Sequence, residues 1–312
     1  MPAPSLRPFQ QLAFGDVPER PLAPHRFLEA ASERIVIKTR PFGSLGVRVV
    51  RYGSGPALVC VHGFMTTSYS FRYLLEPLGK KRTVIAFDLP GAGQSDKPDG
   101  PYDPDSLAEA IGDIIDGLGL RGAPAIGNSL GGYLTMKLAL RDPACLGRLV
   151  CLHAPGLATA RMRALRLALD ALPRSRELVA WLARRDPERW VHKNVHYWDE
   201  RLKSREEHRQ YAEPLRTREG ARAFARMLDE TLDVRRMLVF EAELRRLRGR
   251  FPIPLQLVYA KRDPMVPPEV GARFAALLPD CPIVWLDEAS HFAHVDAPTA
   301  FLAAAEPFLE QG

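Results

Sequence analysis

The sequence predicts an α/β protein with a mostly parallel, doubly wound sheet. Short β-branched or apolar runs alternate with amphipathic segments of helical spacing, which is the order of a sheet covered by helices. Several runs are continuously apolar, as expected of strands buried on both faces. The 312 residues, 46% hydrophobic and 26% charged, suffice for one large domain or for a domain with an insertion.

The predicted elements follow one another along the chain after a Pro-rich arm at residues 1–33. Strands are expected at Arg34–Lys38, Gly46–Tyr52, Ala57–His62, Thr83–Asp88, Ala123–Asn128, Leu146–His153, Leu255–Ala260 and Ile283–Asp287. Helices are expected near 68–79, 105–118, 130–141, 268–278 and 297–310. Two of these helices have N-terminal signals, Pro104-Asp105-Ser106 and Ala297-Pro298-Thr299.

The alternation stops between residues 156 and 250. This stretch is dense in Arg, Leu, Ala and Glu and has no strand-like run of useful length. It predicts a helical cap or lid, 156–250, inserted between the two parts of a core at 1–155 and 251–312. The cap residues His192, His196, Tyr197 and Trp198 could contact a substrate, although such a cluster more often forms a small core of its own.

The positive charge is concentrated in the insertion. The chain has a net charge of +6, and residues 157–250 hold 23 Lys and Arg against 15 Asp and Glu. Because no block of like charges and no RNA-binding or zinc-finger signature occurs, we expect no nucleic-acid partner. The charge indicates a solvated helical surface; its other interpretation is a field that attracts anionic substrates.

The cysteines and termini give no sign of a metal site, a disulfide framework or a leader. Cys60, Cys145, Cys151 and Cys281 are scattered without C-x-x-C spacing, so we expect neither a metal nor another cofactor. The N-terminus lacks a basic region followed by an apolar stretch, and no run of 18 apolar residues occurs. We therefore expect a cytoplasmic enzyme without a membrane partner.

Ser129 is the most informative residue of the sequence. It lies in Gly127-Asn128-Ser129-Leu130-Gly131, a G-x-S-x-G pentapeptide between a predicted strand and a predicted helix. Small residues two positions before and after the serine allow the sharp turn that exposes a nucleophilic hydroxyl. We predict that Ser129 is the nucleophile of an acyl transfer.

The segment His62-Gly63-Phe64 follows a predicted strand. A loop at this point can turn the Phe64 N–H toward a reacting carbonyl. Together with the N–H of Leu130, at the positive end of the following helix, it is expected to stabilise an oxyanion. His62 itself is expected to brace the loop rather than to catalyse.

Two later residues are predicted to complete a catalytic triad. Asp263 lies just beyond the carboxyl end of a predicted strand, where a carboxylate is well placed to orient a histidine. Its other possible role is that of a turn-forming residue before Pro264. His291 is expected to take the proton from Ser129 and return it to the leaving group. His294 is expected to begin or support the last helix.

The segment Asp88–Asp96 contains two close glycines. It lacks the further glycine of a dinucleotide fingerprint, and no helix begins directly after it. A phosphate-binding loop is therefore the weaker interpretation, and a tight loop that shapes the floor of a pocket is the stronger one.

Together these motifs resemble those of capped serine hydrolases of the α/β-hydrolase fold. The resemblance rests on His62-Gly63-Phe64, the Asp88–Asp96 loop, the Gly127–Gly131 turn, Asp263 and Ser290-His291-Phe292, and it covers roughly 45–155 and 251–310. It implies a mostly parallel central sheet flanked by helices, an inserted helical cap, and a triad in the chain order Ser, Asp, His.

The resemblance also reduces the number of reactions expected of this chain. Relatives that dehalogenate alkyl halides or open epoxides use an aspartate nucleophile, so Ser129 argues against both. Asn128–Gly132 is similar to the corresponding turn of the carbon–carbon bond hydrolases that act on ring-cleavage dienoates, which typically carry Trp where this chain has Phe292. Cofactor-free perhydrolases share the triad but generally have little or no cap.

The predicted function is hydrolysis of carboxylic esters through an acyl-enzyme. Ser129, Asp263 and His291 form the predicted triad, and the N–H groups of Phe64 and Leu130 form the predicted oxyanion hole. Two alternatives stay open: carbon–carbon bond hydrolysis of a dienoate, and non-catalytic binding of a small ligand on a hydrolase fold. The sequence does not identify the physiological substrate, the substrate-contacting residues or the oligomeric state.

Overall fold

A computed structural model describes residues 7–172 and 174–311 of the chain. Its strands are β1 Ala31–Thr39, β2 Gly43–Gly53, β3 Ala57–Val61, β4 Thr83–Phe87, β5 Ala125–Asn128, β6 Leu149–Leu152, β7 Leu255–Ala260 and β8 Ile283–Leu286. Its α-helices are α1 Arg72–Gly79, α2 Pro104–Gly117, α3 Leu130–Arg141, α4 Ala160–Ala171, α5 Ser175–Arg185, α6 Pro187–Asn194, α7 Arg205–Ala212, α8 Arg218–Thr231, α9 Val234–Arg246, α10 Pro268–Leu277, α11 Ala293–Asp296 and α12 Pro298–Leu309.

The eight strands form one sheet in the order β1-β2-β4-β3-β5-β6-β7-β8, which confirms the predicted fold class. β1 pairs antiparallel with β2 and β2 antiparallel with β4, whereas all pairs from β4 to β8 are parallel. Successive side chains of β3 enter different apolar clusters: Val59 and Val61 belong to one, Leu58 and Cys60 to the other. Both faces of the sheet are therefore buried, which explains why its strands are continuously apolar.

The ends of the elements follow local signals in most places. Asp103 caps α2, because its carboxylate accepts the N–H groups of Asp105 and Ser106 and Pro104 occupies the first turn. β1 begins three residues earlier than predicted, since its pairing with the long β2 continues to Ala31.

The short helix α11 was not predicted, and it contains His294, which was expected to begin or support the last helix. His294 lies within α11, whereas the last helix, α12, begins at Pro298. The His294 side chain is buried, with its ring 5.2 Å from that of Phe71. It thus packs between elements of the core rather than starting the last helix.

Helices α4 to α9 all lie between β6 and β7, and we call residues 156–250 the insertion. A buried polar cluster joins it to the core. The guanidinium of Arg72, which begins α1, pairs with the Glu207 carboxylate of α7, and both side chains are fully buried. Tyr197 donates a 2.7 Å hydrogen bond to the same carboxylate, and Arg72 donates one of 3.3 Å to Tyr211.

The N-terminal segment is hydrogen-bonded to the insertion at Phe9 and Pro18. The N–H of Phe9 donates to the Trp198 carbonyl at 3.1 Å, and the N–H of Arg205 donates to the Pro18 carbonyl at 2.8 Å. Residues 1–6 of the predicted arm lie outside the described residues. Within residues 7–172 and 174–311, no helix has the length and hydropathy needed to cross a membrane.

Candidate active site

Ser129 occupies a strained turn between β5 and α3. β5 ends at Asn128 and α3 begins at Leu130, so the serine alone makes the connection. Its φ of 52° and ψ of −121° are rare for a residue with a side chain and cost roughly 1–3 kcal/mol. The surrounding structure holds this conformation, in part through a 2.7 Å hydrogen bond from the Ser129 N–H to the Leu152 carbonyl.

The glycines around Ser129 are needed for close backbone contacts. A Cβ at Gly127 would lie 2.7 Å from the Gly132 Cα, and one at Gly131 would lie 2.2 Å from the Val61 carbonyl oxygen. Any larger residue would push α3 away from β5 or β3. The G-x-S-x-G pattern therefore has a steric basis here.

Asp263 and His291 are brought together by the loops that follow β7 and β8. The His291 Nδ1 lies 2.7 Å from the Asp263 Oδ2, and both side chains are buried. Burial raises the pKa of the Asp263 carboxyl, but the charge and hydrogen bond of His291 outweigh it and hold this pKa below its ordinary value. An ionised Asp263 accepts the Nδ1–H, which leaves the Nε2 of His291 as the basic nitrogen.

The second oxygen of Asp263 organises the turn after β7. Its Oδ1 accepts the N–H groups of Met265 at 2.7 Å and Val266 at 2.9 Å. The two roles weighed for Asp263 from the sequence are thus both present, one on each oxygen. A carboxylate fixed by two backbone donors cannot rotate freely, and this fixes the direction of its hydrogen bond to His291.

The loop of His291 is also tied to the turn of Ser129. The side-chain amide of Asn128 donates to the His291 carbonyl oxygen at 3.2 Å. Among the hydrogen bonds of the described residues, none joins the Ser129 hydroxyl to the His291 ring. Bonds of this kind are often long or poorly aligned until substrate binds.

The loop His62-Gly63-Phe64 passes directly against the Ser129 turn. A Cβ at Gly63 would lie only 2.9 Å from the Ser129 Cβ, so the backbone before Phe64 runs beside the serine. The N–H of Leu130 lies in the first turn of α3, where backbone N–H groups have no intrahelical acceptor. Both N–H groups chosen from the sequence therefore belong to backbone that adjoins Ser129.

His62 supports this loop through both of its ring nitrogens. Its Nε2 accepts the N–H of Leu89 at 2.9 Å, and its Nδ1 lies 2.8 Å from the Gly63 carbonyl. Burial lowers the pKa of His62, so the ring is neutral and can accept and donate once each. These contacts fit the bracing role predicted for His62.

The Asp88–Asp96 loop is closed around a carboxylate. The buried Asp88 accepts the N–H groups of Ser68 and Gln94, both at 2.8 Å, and a Cβ at Gly93 would lie 2.0 Å from its Oδ2. The interior of the loop already holds a negative group, which disfavours the phosphate-binding interpretation.

A model of the alpha/beta hydrolase family matches residues 58–305. The chain belongs to the alpha/beta hydrolase family. This hydrolase is 25% identical to the 2-(acetamidomethylene)succinate hydrolase of Mesorhizobium japonicum over 287 aligned residues. The alignment covers 90% of this chain and 98% of that protein. It is 34% identical to the 2-hydroxymuconate semialdehyde hydrolase of a Pseudomonas species over 109 aligned residues. That alignment covers 34% of this chain and 38% of that protein. A thermophilic esterase from Thermogutta terrifontis shares the fold with a TM-score of 0.69 and 20% identity, covering 90% of this chain and 98% of the esterase.

An apolar cavity lies between the loop His62-Gly63-Phe64 of this hydrolase and its insertion. Its insertion side is formed by α6 to α8 and the turn between α7 and α8, and its core side by 62–66 with Gly91 and Ala92. Phe64 stacks on Phe224 of α8 with ring centroids 4.7 Å apart. The cavity volume is about 20 Å³, room for about one water molecule. Its described lining residues include Gly63, which adjoins the Ser129 turn, but not Ser129 or His291.

The aromatic and histidine cluster of the insertion is engaged elsewhere. Tyr197 is buried on Glu207, and the His192 Nε2 lies 3.0 Å from the Leu12 carbonyl. None of His192, His196, Tyr197 and Trp198 is among the described residues that line the apolar cavity. These contacts fit the interpretation that the four residues form a small core of their own rather than contact a substrate.

His153, which sequence reasoning missed, lies next to the Asp263–His291 pair. It follows β6 with a φ of 51°, and its Nε2 accepts the N–H of Ala260 at 2.7 Å. One N or O atom of each of His153, Asp263 and His291 lies within 4.8 Å of the other two, and residues of these types can bind a metal ion. However, the His153 Nε2 already accepts the Ala260 N–H, and the Asp263 Oδ2 and the His291 Nδ1 are bonded to each other. Burial lowers the pKa of His153 to about 3, so this ring is neutral.

Asp296 is a second residue that the sequence did not reveal. Its Oδ2 accepts the N–H of Ser290 at 3.1 Å, directly before His291, and that of Trp198 in the insertion at 2.8 Å. One carboxylate thus joins the histidine loop to the insertion. The only signal for His153 and Asp296 was their position beside predicted strand ends and motifs, which does not distinguish support from catalysis.

Proposed function

We propose that this hydrolase cleaves carboxylic esters through an acyl-enzyme on Ser129. The serine oxygen attacks the ester carbonyl while the His291 Nε2 takes its proton. The alcohol then leaves with that proton, and an acyl group remains on Ser129. Water, deprotonated by the same nitrogen, releases the acid and returns the proton to the serine.

The observation that carries this proposal is the buried Asp263–His291 bond of 2.7 Å beside a strained serine turn. A carboxylate fixed by backbone donors keeps the imidazole in one tautomer and stabilises the imidazolium formed during attack. The tie from Asn128 to the His291 carbonyl keeps the two loops together. In this proposal the Phe64 and Leu130 N–H groups hold the oxyanion, and one such donor typically contributes about 3–4 kcal/mol to catalysis.

The lining of the cavity favours an uncharged acyl or alcohol group. Its described lining residues are mainly apolar, among them Phe64, Met65, Leu215, Phe224 and Met227, and none is Lys or Arg. Apolar walls with a few polar groups are typical of small-molecule sites. An anionic substrate would bury its carboxylate here without a paired cation, which is costly.

Carbon–carbon bond hydrolysis of a dienoate is the second candidate. It is supported by the similarity to the 2-hydroxymuconate semialdehyde hydrolase over 109 residues and by the Asn128–Gly132 turn. It requires a cation for the substrate carboxylate. That cation would have to come from an arginine outside the described cavity lining.

A labelling and rate experiment tests the proposal. A fluorophosphonate probe should label the protein, Ser129→Ala should abolish labelling, and Ser44→Ala, an exposed serine of β2, should leave it unchanged. A panel of p-nitrophenyl esters from acetate to palmitate, run beside a dienoate, then separates the two reactions. Ester turnover that survives in Ser129→Ala would remove Ser129 from the mechanism. Absence of labelling in the unaltered protein would favour a ligand-binding role, and turnover of the dienoate alone would favour carbon–carbon bond hydrolysis.

A further inference from the structure

Helix α4 exposes several large apolar side chains to solvent. None of its twelve residues is buried. Leu165 is 45% exposed and Leu167 72% exposed, and Leu172 just beyond the helix is 50% exposed. The partly buried side carries Met162, Arg166 and Leu169. A surface helix normally directs its apolar stripe toward the core, whereas α4 buries its apolar residues only in part.

Helix α5 also exposes large apolar side chains. Leu178, Trp181 and Leu182 follow one another at i, i+3 and i+4 and are 45%, 53% and 39% exposed. Both helices are tied to one carboxylate, because Arg166 of α4 and Arg176 of α5 pair with Asp229 of α8. We call the exposed surface of residues 160–185 the α4–α5 patch. It holds six of the eleven exposed large apolar side chains in the described part of the chain.

The same patch is strongly cationic. Residues 160–185 contain seven arginines and two acidic residues. Arg163, Arg174, Arg184 and Arg185 are exposed and have no ion-pair partner among the described residues. The Arg185 guanidinium lies 5.5 Å from the centre of the Trp181 ring. Exposed Leu and Trp surrounded by unpaired arginine is the composition of helices that lie in a lipid–water interface.

We propose that the α4–α5 patch docks on the surface of an anionic lipid bilayer. Leu165, Leu178 and Trp181 would enter the boundary between headgroups and acyl chains, and the arginines would contact lipid phosphates. A second copy of the chain is a poorer occupant, because a self-pairing of this patch would bring its unpaired arginines together. The expectation of no membrane partner came from the absence of a spanning segment, and the outward direction of these side chains is visible only in the structure.

Vesicle sedimentation tests the proposal. We expect the protein to pellet with phosphatidylcholine vesicles that contain phosphatidylglycerol, to pellet weakly with phosphatidylcholine alone, and to dissociate as salt is raised. Reversing two charges in Arg184→Glu/Arg185→Glu should weaken binding roughly 25-fold or more, at about fivefold per charge. Leu178→Ser/Trp181→Ser should weaken it at least about tenfold.

Matched variants outside the patch serve as controls. Arg246→Glu/Arg248→Glu changes the net charge equally at two exposed arginines, and Leu28→Ser/Val36→Ser removes two side chains that are 60% and 64% exposed. Both should bind vesicles as the unaltered protein does, and thermal unfolding should show all four variants folded. None of these measurements depends on ester hydrolysis.

Four outcomes would overturn the proposal. These are no pelleting with anionic vesicles, equal pelleting with neutral ones, and patch variants that bind like the controls. The fourth is a dimer in sedimentation velocity that dissociates in Leu178→Ser/Trp181→Ser, since the patch would then be an interface between two copies of the chain.

Discussion

Gly63→Ala should reduce turnover while leaving the protein folded. A Cβ at this position would lie 2.9 Å from the Ser129 Cβ, 3.0 Å from the Asn128 Oδ1 and 3.2 Å from the Asn128 carbonyl oxygen. All three atoms belong to the turn that carries the proposed nucleophile, and the added methyl group precedes the proposed oxyanion donor, Phe64. The substitution therefore pushes apart the two groups that must hold one carbonyl.

The displacement can be estimated from these contacts. Ordinary carbon–carbon contact begins near 3.5 Å, so the loop or the turn must move by roughly half an ångström. A misplacement of about 1 Å costs on the order of 100-fold in rate, and loss of an oxyanion donor costs about 100- to 1,000-fold. We expect kcat for p-nitrophenyl esters to fall about 10- to 100-fold. KM should change much less, because the added methyl group is directed at the turn of Ser129 and the apolar side chains that line the cavity are unchanged.

Gly15→Ala is the matched control, since a Cβ there would have nothing within 4 Å. It should leave kcat unchanged and cost no stability beyond a few tenths of a kcal/mol. Urea unfolding of both variants separates a local effect from general destabilisation. A Gly63→Ala enzyme with a kcat within about twofold of the unaltered enzyme would refute the placement of the oxyanion hole, given that an oxyanion donor is worth far more.

Two further predictions concern buried charges. Burial raises the pKa of Asp296 to about 6, so the folded state holds this proton more tightly than the unfolded state, and stability should fall as pH rises from about 4 through 6. Asp296→Asn keeps an oxygen for the Trp198 and Ser290 N–H groups but cannot titrate. In this variant the pH-dependent decrease in the free energy of unfolding, measured with urea at several pH values, should be smaller by about 3 kcal/mol. An unchanged pH profile would contradict this prediction. Glu207→Gln leaves the buried guanidinium of its partner unpaired and should cost roughly 3–5 kcal/mol, whereas Glu310→Gln, in an exposed pair with Lys81, should cost less than about 1 kcal/mol. Equal costs in the two variants would show that the insertion is not anchored through Glu207.

The central sheet could be predicted because its signals are local. Residues 255–260 form β7 and residues 130–141 form α3 with the predicted bounds. In both cases the local residue pattern is enough to predict the element. The strand is a run of six apolar or β-compatible residues, and the helix is a helical pattern that follows the G-x-S-x-G turn. The antiparallel pairing of β1 and β2 was not visible, because a strand's direction depends on its partner.

The insertion shows why other parts could not be predicted. Periodicity in α4 would place Leu165 and Leu172 toward a core, yet the structure exposes both. Likewise, Phe224 contacts Phe64 across 160 residues of sequence, and no local pattern could pair them. Helical spacing indicates that a helix has an apolar side, but only the packing of neighbouring helices decides what that side faces.

The proposed triad could be predicted in part, less fully than the sheet and better than the packing of the insertion, as Asp263 illustrates. The sequence left two roles for this residue, orientation of a histidine or formation of a turn before Pro264. The structure assigns one oxygen to each, and the roles depend on each other: the N–H groups of Met265 and Val266 fix the carboxylate that holds His291. A residue chosen for the turn alone could have been Asn or Ser, both of which form such turns. Only a carboxylate can also balance an imidazolium, and this explains why an acid stands at the position where the two requirements meet.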